Sequence, residues 1–541
     1  MPPLPELTPA TEWFWRAGAD GKLRIQGCTD CGKLVHPPAP ICPRCRSRSH
    51  APAVVSGLAT VAGYTINAQQ WSPDLPPPYV IATVALAEDP DVRLTTNIVG
   101  CEPAEVRIGQ QVAVRFDPHE DVWLPVFAPT GAPDDDIDVG DPIRYTPRKP
   151  VSDKRFEHDS VLSGIGRSRL GRRLLVDPLE LTVDACLEAV ADAGLRLDDI
   201  DGLSTYPGGF AGAGMSEGGV TALEEALRIH PTWHNGGGDL PGPGGALVAA
   251  MLAVSAGLCR HVLCFRTVWE STYRTLRLGG SGGRAAGSMM AWRLPFGAMS
   301  AANWIGMNAT RYLHRYGATR EMLGAIAING RANAARNPAA IYRDPLTMDD
   351  YLSARMVSSP FGLYDCDVPC DGSIAVIVSA ADAAADLPKP AVRVVAAGTQ
   401  ILERTSWDQG VLTHEPQVLG QSEHLWSRTE LRPDDVDLAL LYDGFSFNAV
   451  SWLEGLGFCG FGETQDWLDG GRSIAPDGRL PLNPHGGQLS EGRTHGFGFL
   501  YEAVAQLRHE AGDRQVPDVR TAVVSTGGGT PSGVFLMQRD A

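Results

Sequence analysis

The chain has 541 residues, 43% of them hydrophobic and 20% charged, which is too long for one ordinary core and too apolar for disorder. Its formal net charge of −17 repels phosphate backbones and anionic bilayers, so nucleic acids and membrane surfaces are excluded as expected partners. A cytoplasmic enzyme is expected: MPPLPELTPATEWFWRAG has no basic start followed by an apolar run, no eighteen apolar residues occur in succession, and seven of the eleven cysteines are scattered through hydrophobic segments, as suits a reduced compartment.

The first strong signal is CTDCGKLVHPPAPICPRC, where Cys28, Cys31, Cys42 and Cys45 follow C-x2-C-x10-C-x2-C. Two such knuckles deliver four thiolates tetrahedrally to one zinc, which substitutes for a core too small to fold alone. Structural zinc is the reading for residues 1–50, together with an N-terminal helix holding WFWRAGADGKL. A redox or iron role is the competing reading, and four thiolates leave no open position for catalysis. Over 51–130, alternating segments (ATVAGYTIN, YVIATVALA, VRLTTNIVG, QQVAVRF) separated by Pro, Gly and Asp predict a small β-barrel. Residues 131–157 mix Pro, Gly and Asp without an apolar period and read as a linker.

From 158 to 541 strands and helices alternate, the mark of a layered α/β domain. VLSGIG, IDGLSTY and HVLCFRTV read as strands, and PLELTVDACLEAVADAG and GGALVAAMLAVSAG as helices. The scheme recurs with helix HLWSRTEL, strand VDLALLYDGF, helix HGFGFLYEAVAQLRHEAG and strand TAVVSTGG. LRLDDIDGLSTY from Leu195 also matches LRPDDVDLALLY from Leu431 in register, which predicts two related, stacked halves.

The ribbon-then-barrel order resembles the OB-fold acyl-CoA-associated proteins over about residues 10–130. The duplicated region, with NPHGG and the terminal STGGG, resembles the thiolase superfamily. Within it LLYDGFSFNAVSWLEGLGFCGFGE and NPHGGQLSEGRTHG are similar to the sterol-carrier-protein-x and lipid-transfer-protein branch, which includes steroid side-chain aldolases. The expected fold is therefore α/β, a duplicated thiolase fold behind a zinc ribbon and a small OB-type barrel. The resemblance implies a homodimer through the thiolase domain, coenzyme A as part of the substrate, and a hydratase as partner.

Thiolases need a nucleophilic thiolate and usually a second cysteine as acid or base. Here the first position falls at about Leu240 or Pro241, and the second lies in VVSTGGGTPSG, which offers Ser525 and Thr526 but no thiol. Loss of both sulfurs suits retro-aldol cleavage, which needs a base for the β-hydroxyl proton and donors for the thioester enolate. A bulky, steroid-type β-hydroxyacyl-CoA would give a ketone and a short acyl-CoA. A thiolase-like acyltransferase and a non-catalytic acyl-CoA or lipid-binding scaffold are the alternatives.

In the aldolase branch two tyrosines are implicated. One is carried as Tyr442 in YDGF; at the second place, in SEGRTHG, Arg493 stands instead. As a bare strand-end residue Tyr442 reads as packing, and the resemblance turns it into the acid or base, its pKa adjusted by His485 or Arg493. His485, in a loop between Pro484 and Gly486, reads as an active-site donor or base, against a turn residue. His495 either caps the next helix or joins the site, and Asp443 either caps the helix beginning near Phe445 or orients a catalytic group. Gly527, Gly528 and Gly529 are candidate oxyanion donors, or a tight turn. Cys366 and Cys370 read as buried thiols. Arg274, Arg277 and Arg284 have a composition able to meet CoA phosphates, but a solvated loop at a subunit interface is the preferred reading.

Overall fold

The computed structural model describes residues 2–135, 153–206, 219–237, 242–276, 288–402, 418–529 and 532–539. Most of the expected linker, Leu240 and Pro241, and Arg277 and Arg284 lie outside them.

In the N-terminal part the expected helix is a single turn, Glu12–Trp15, followed by a 3-10 turn, Ala17–Asp20. Trp15 is fully buried and stacks on Trp292 with centroids 4.8 Å apart. The ribbon is a three-stranded sheet with Arg24–Cys28 between Leu34–Val35 and His50–Val54. All four expected strands of the barrel form, as Leu58–Asn67, Tyr79–Leu86, Asp89–Ile98 and Gln111–His119, and a fifth, Val122–Pro129, completes it. Pairing of Leu58–Thr60 with Gln111–Ala113 closes the barrel and removes its free edges.

The nine-stranded sheet beyond is two copies of one arrangement. The first half contains, in chain order, Ser160–Arg167, Gly202–Thr205, Trp233–Asn235, His261–Trp269 and Asp371–Ala380, which lie side by side in the order 3-2-4-5-1 with the fifth antiparallel to its neighbours. In the second half Val392–Gly398, Leu438–Leu440, Thr521–Thr526 and Gly533–Arg539 take the first, second, fourth and fifth places, with Leu482 bridging parallel to Ala439 in the third. The two first strands meet at Val392 and Leu162 and join the halves.

The repeated sequence does the same work twice. Arg196 N–H donates to Asp199 Oδ2 and Arg432 N–H to Asp435 Oδ2, both at 2.8 Å, and each closes a 3-10 turn ahead of a second strand. Asp201 then accepts from the N–H groups of Arg260 and His261, and Asp437 from those of Arg520 and Thr521, which fixes where the fourth strand starts in each half. Helix Pro178–Asp192, capped by Asp177 on Leu179 N–H, packs so closely on the first strand that a Cβ at Gly166 would lie 2.2 Å from the Ala185 carbonyl.

Both faces of the sheet are covered, which is why its strands read as unbroken apolar runs. Helices Gly245–Ser255 and Phe497–Leu507 share one core with strands of both halves, including Val262, Cys264, Val376, Leu440, Val524 and Phe535. HLWSRTEL was expected as a helix, but the helix is Leu419–Trp426, and Ser427 onward turns away where the Arg428 side chain reaches back to Glu157. Among the described residues no helix is long and apolar enough to cross a membrane.

Candidate active site

Strand Leu438–Leu440 ends two residues before Tyr442, whose backbone N–H donates to Ser525 Oγ at 2.8 Å. The half-buried phenol lies toward Phe499, with centroids 6.3 Å apart. Burial, and secondarily the Asp367 carboxylate, pushes Tyr442 above its usual range, while the Gln488 amide and the Arg266 guanidinium oppose the rise. Arg266 is a cation acting on the phenol, one that the sequence did not single out.

Asp443 is buried, and its Oδ1 accepts the Gln488 N–H at 2.7 Å while Oδ2 accepts from Asn483 Nδ2 at 3.2 Å. It caps the short helix Gly487–Ser490 and not the helix Ser446–Gly455. Burial pushes its carboxyl up to about 7 against those donors. The cap depends on Gly487, where φ is +61° and a Cβ would sit 1.9 Å from Asp443 Oδ2.

His495 adopts φ +53°, and its N–H donates to Gln488 Oε1 at 2.9 Å. Its Nδ1 accepts from Arg266 at 2.5 Å, which assigns the ring proton to Nε2. Burial first, then Arg266 and Arg493, hold the imidazole well below its usual range, so it is neutral. His495 thus joins the Tyr442 cluster. Arg493 lies beside it and is tied to Glu270 and, at 3.2 Å, to Asp367; Arg274 also pairs with Glu270.

His485 is buried against Phe499, edge-on at 5.0 Å. Its Nε2 is 3.7 Å from Glu491, and its Nδ1 has no hydrogen-bond partner among the described residues. The Gly527 and Gly528 carbonyls accept from Trp452 Nε1 at 3.0 Å and Asn448 Nδ2 at 3.1 Å, which anchors the terminal glycine turn to the helix Ser446–Gly455. Gly529 is buried next to them.

Among the described residues of the site no thiol is activated. The Thr526 hydroxyl accepts Gly244 N–H at 3.0 Å, so both hydroxyls at the second thiol position serve the backbone. Burial, reinforced by neighbouring carboxylates, holds the Cys366 and Cys370 thiols above their ordinary range, and burial pushes Cys459 up to about 12. Thiols raised in this way are poor nucleophiles.

Sequence reasoning missed Arg266, Glu270, Asp367 and Gln488. Arg266 did carry a signal, as a lone charge inside the apolar strand HVLCFRTVW. In the ribbon, the four sulfurs of Cys28, Cys31, Cys42 and Cys45 all lie within 4.8 Å of one another.

Three family models match the chain: thiolase C-terminal domain-like at residues 419–537, the ChsH2 C-terminal OB-fold domain at 53–117, and the ChsH2 rubredoxin-like zinc ribbon domain at 15–51. The steroid side-chain-cleaving aldolase of Thermomonospora curvata is 34% identical over 401 residues, 70% of this chain and 98% of that protein. The 17-hydroxy-3-oxo-4-pregnene-20-carboxyl-CoA lyase of Mycobacterium tuberculosis is 33% identical over 398 residues, again 70% and 98%. Among solved structures, the Ltp2-ChsH2(DUF35) aldolase superposes with a TM-score of 0.63 at 32% identity, covering 71% of this chain and 98% of that one.

Proposed function

This chain belongs to the thiolase-fold family of steroid side-chain-cleaving aldolases, and from that premise we propose that it is a carbon–carbon lyase cleaving a bulky, steroid-type β-hydroxyacyl-CoA to a ketone and a short acyl-CoA. The observation that carries the reading is a site with proton-transfer groups and no activated thiol: Tyr442, Arg266 and neutral His495 stand together, while Ser525 and Thr526 bind backbone.

In the proposed reaction a base removes the β-hydroxyl proton, the O–H electron pair becomes the ketone C=O, and the Cα–Cβ pair moves onto the thioester as an enolate. A proton delivered to Cα then gives the short acyl-CoA. Tyr442 is kept protonated by its raised pKa and serves as that acid. Asp367, the first carboxylate acting on the phenol and held by Arg493, is the base we assign to the β-hydroxyl; burial and then Asp443 raise its own carboxyl well above the usual range, which makes it the stronger base once ionised. Arg493, which has replaced a second tyrosine, thus positions carboxylates and transfers no proton. His485 and the turn Gly527–Gly529 are assigned to holding the thioester.

Cys28, Cys31, Cys42 and Cys45 are assigned to a structural zinc. Their pairs at 3.5 and 3.7 Å fit a tetrahedron of ~2.3 Å Zn–S bonds, whose edges measure about 3.8 Å. A homodimer, a hydratase partner and a cytoplasmic location complete the proposal. The test is mass spectrometry of products from a panel of β-hydroxyacyl-CoA thioesters without free CoA. Ketone plus short acyl-CoA is expected; an absolute need for added CoA would make the enzyme an acyltransferase, and no turnover would make it a carrier.

A further inference from the structure

The side chain of Gln488 is clamped at one end only. Its backbone N–H is held by Asp443 and its Oε1 by the His495 N–H, so the orientation of the amide is set by partners outside any ligand. The residue is 2% exposed; its Nε2 closes no full hydrogen bond among the described residues, and the group its amide end acts on is the Tyr442 phenol. A buried N–H without a full partner is costly, so its persistence marks a position held for a ligand. Two devices maintain this arrangement. Glycine at 487 is the only residue that lets Asp443 reach the Gln488 N–H, and His495 accepts a left-handed backbone to aim its own N–H at Oε1. The first also caps the helix Gly487–Ser490, and together they present a preorganised donor beside Tyr442. Preorganised donors of this kind act on charge that develops during reaction, because they need no reorientation when it appears.

We propose that Gln488 Nε2–H is a catalytic donor to the substrate, bonding the acyl-CoA thioester oxygen and stabilising it as the Cα–Cβ electron pair moves onto it. The assignment rests on the lyase reading above and names the residue that receives the enolate charge. It also explains why Gln488 is held by its carbonyl: the same contact that occupies Oε1 leaves only the donor end for substrate.

The test reads the carbonyl directly. Acetyl-CoA labelled with ¹³C at the thioester carbonyl is bound to the full-length protein, and its C=O stretch is measured by difference infrared spectroscopy. Wild type should lower the stretch relative to free acetyl-CoA. Gln488→Met, which removes the donor, and Gln488→Glu at pH 8, which keeps an acceptor for the His495 N–H, should both abolish that shift while still binding acetyl-CoA. With β-hydroxyacyl-CoA substrate, kcat should fall by about 10²–10³, the cost of one oxyanion donor, with KM within a few-fold. An unchanged stretch in a folded variant that binds acetyl-CoA overturns the assignment. A lowered stretch that depends on Gln488 in a protein releasing no ketone supports the donor and overturns the lyase reading alone. Wild type that binds acetyl-CoA without a lowered stretch overturns the donor and leaves the lyase reading to its product test.

Discussion

A phenol with an ordinary pKa of about 10 is a weak base at neutral pH, and burial beside Asp367 moves Tyr442 further from that role. The sign is informative: a raised pKa keeps the proton on, so Tyr442 suits the acid step, and kcat should show no alkaline loss from this group below about pH 10. Tyr442→Phe removes only the hydroxyl and leaves the backbone bond to Ser525 intact, so the variant should fold normally and lose at least ~10²-fold in kcat. A folded variant within a few-fold of wild type would sink the assignment. At this scale the spacing of the four ribbon cysteines announced the cluster they form, and the motif around Tyr442 announced its place just beyond a strand end. The sequence was not readable for partnerships. Arg266 meets His495 from 229 positions away, and nothing in either local string announces the pairing. The same holds for Asp443, whose neighbour in sequence is one helix while its hydrogen bonds go to another.

Local signals set most elements. The helix Pro178–Asp192 is marked by an Asp cap and a proline in its first turn, and the barrel strands by alternation between turn residues. Where the prediction slipped, tertiary contacts decided. The segment after Trp426 breaks from its helix because Arg428 forms a two-pronged ion pair at 2.6 Å with Glu157, which is fully buried near the start of the first half. The ribbon draws on both kinds of contact. Leu23 and Ile25 pack into the buried cluster of the barrel, while Cys28 ends the short central strand at the four-cysteine group assigned to a zinc. Metal analysis should find one zinc per chain. Cys28→Ser should lose it and make the N-terminal region sensitive to protease, with the rest of the protein intact. Absence of zinc from the native protein, or full zinc and protease resistance in the variant, would contradict the assignment.

The duplication was legible at the scale of the whole molecule because each half needs the same aspartates to start its strands, and those aspartates recur in sequence. How the barrel meets the rest was not, since it depends on residues remote in the chain. Asn303 Nδ2 donates to Asn67 Oδ1 at 3.1 Å across 236 positions and also to Ser358 Oγ at 2.9 Å. Strand Leu58–Asn67 continues its ladder onto Met356–Ser358, with Ala68 N–H donating to the Val357 carbonyl and Ser359 N–H to that of Ile66, both at 3.0 Å. Trp15 and Trp292 stack at a second point of contact. Buried, fully paired polar groups of this kind hold a docked surface in one register, and each is costly to expose unpaired. The covalent connection through residues 136–152 is then not what keeps the barrel in place. A protease site introduced within that segment and cut in the native protein should leave both fragments eluting together in gel filtration, with turnover retained. In an Asn303→Ala background, which removes the bonds joining the helix that carries it to Asn67 and Ser358 while Trp71 and Thr65 still pair with them, the cut fragments should separate more readily. Immediate separation after cutting the otherwise native chain would show that the linker, and not the docked surface, holds the molecule together.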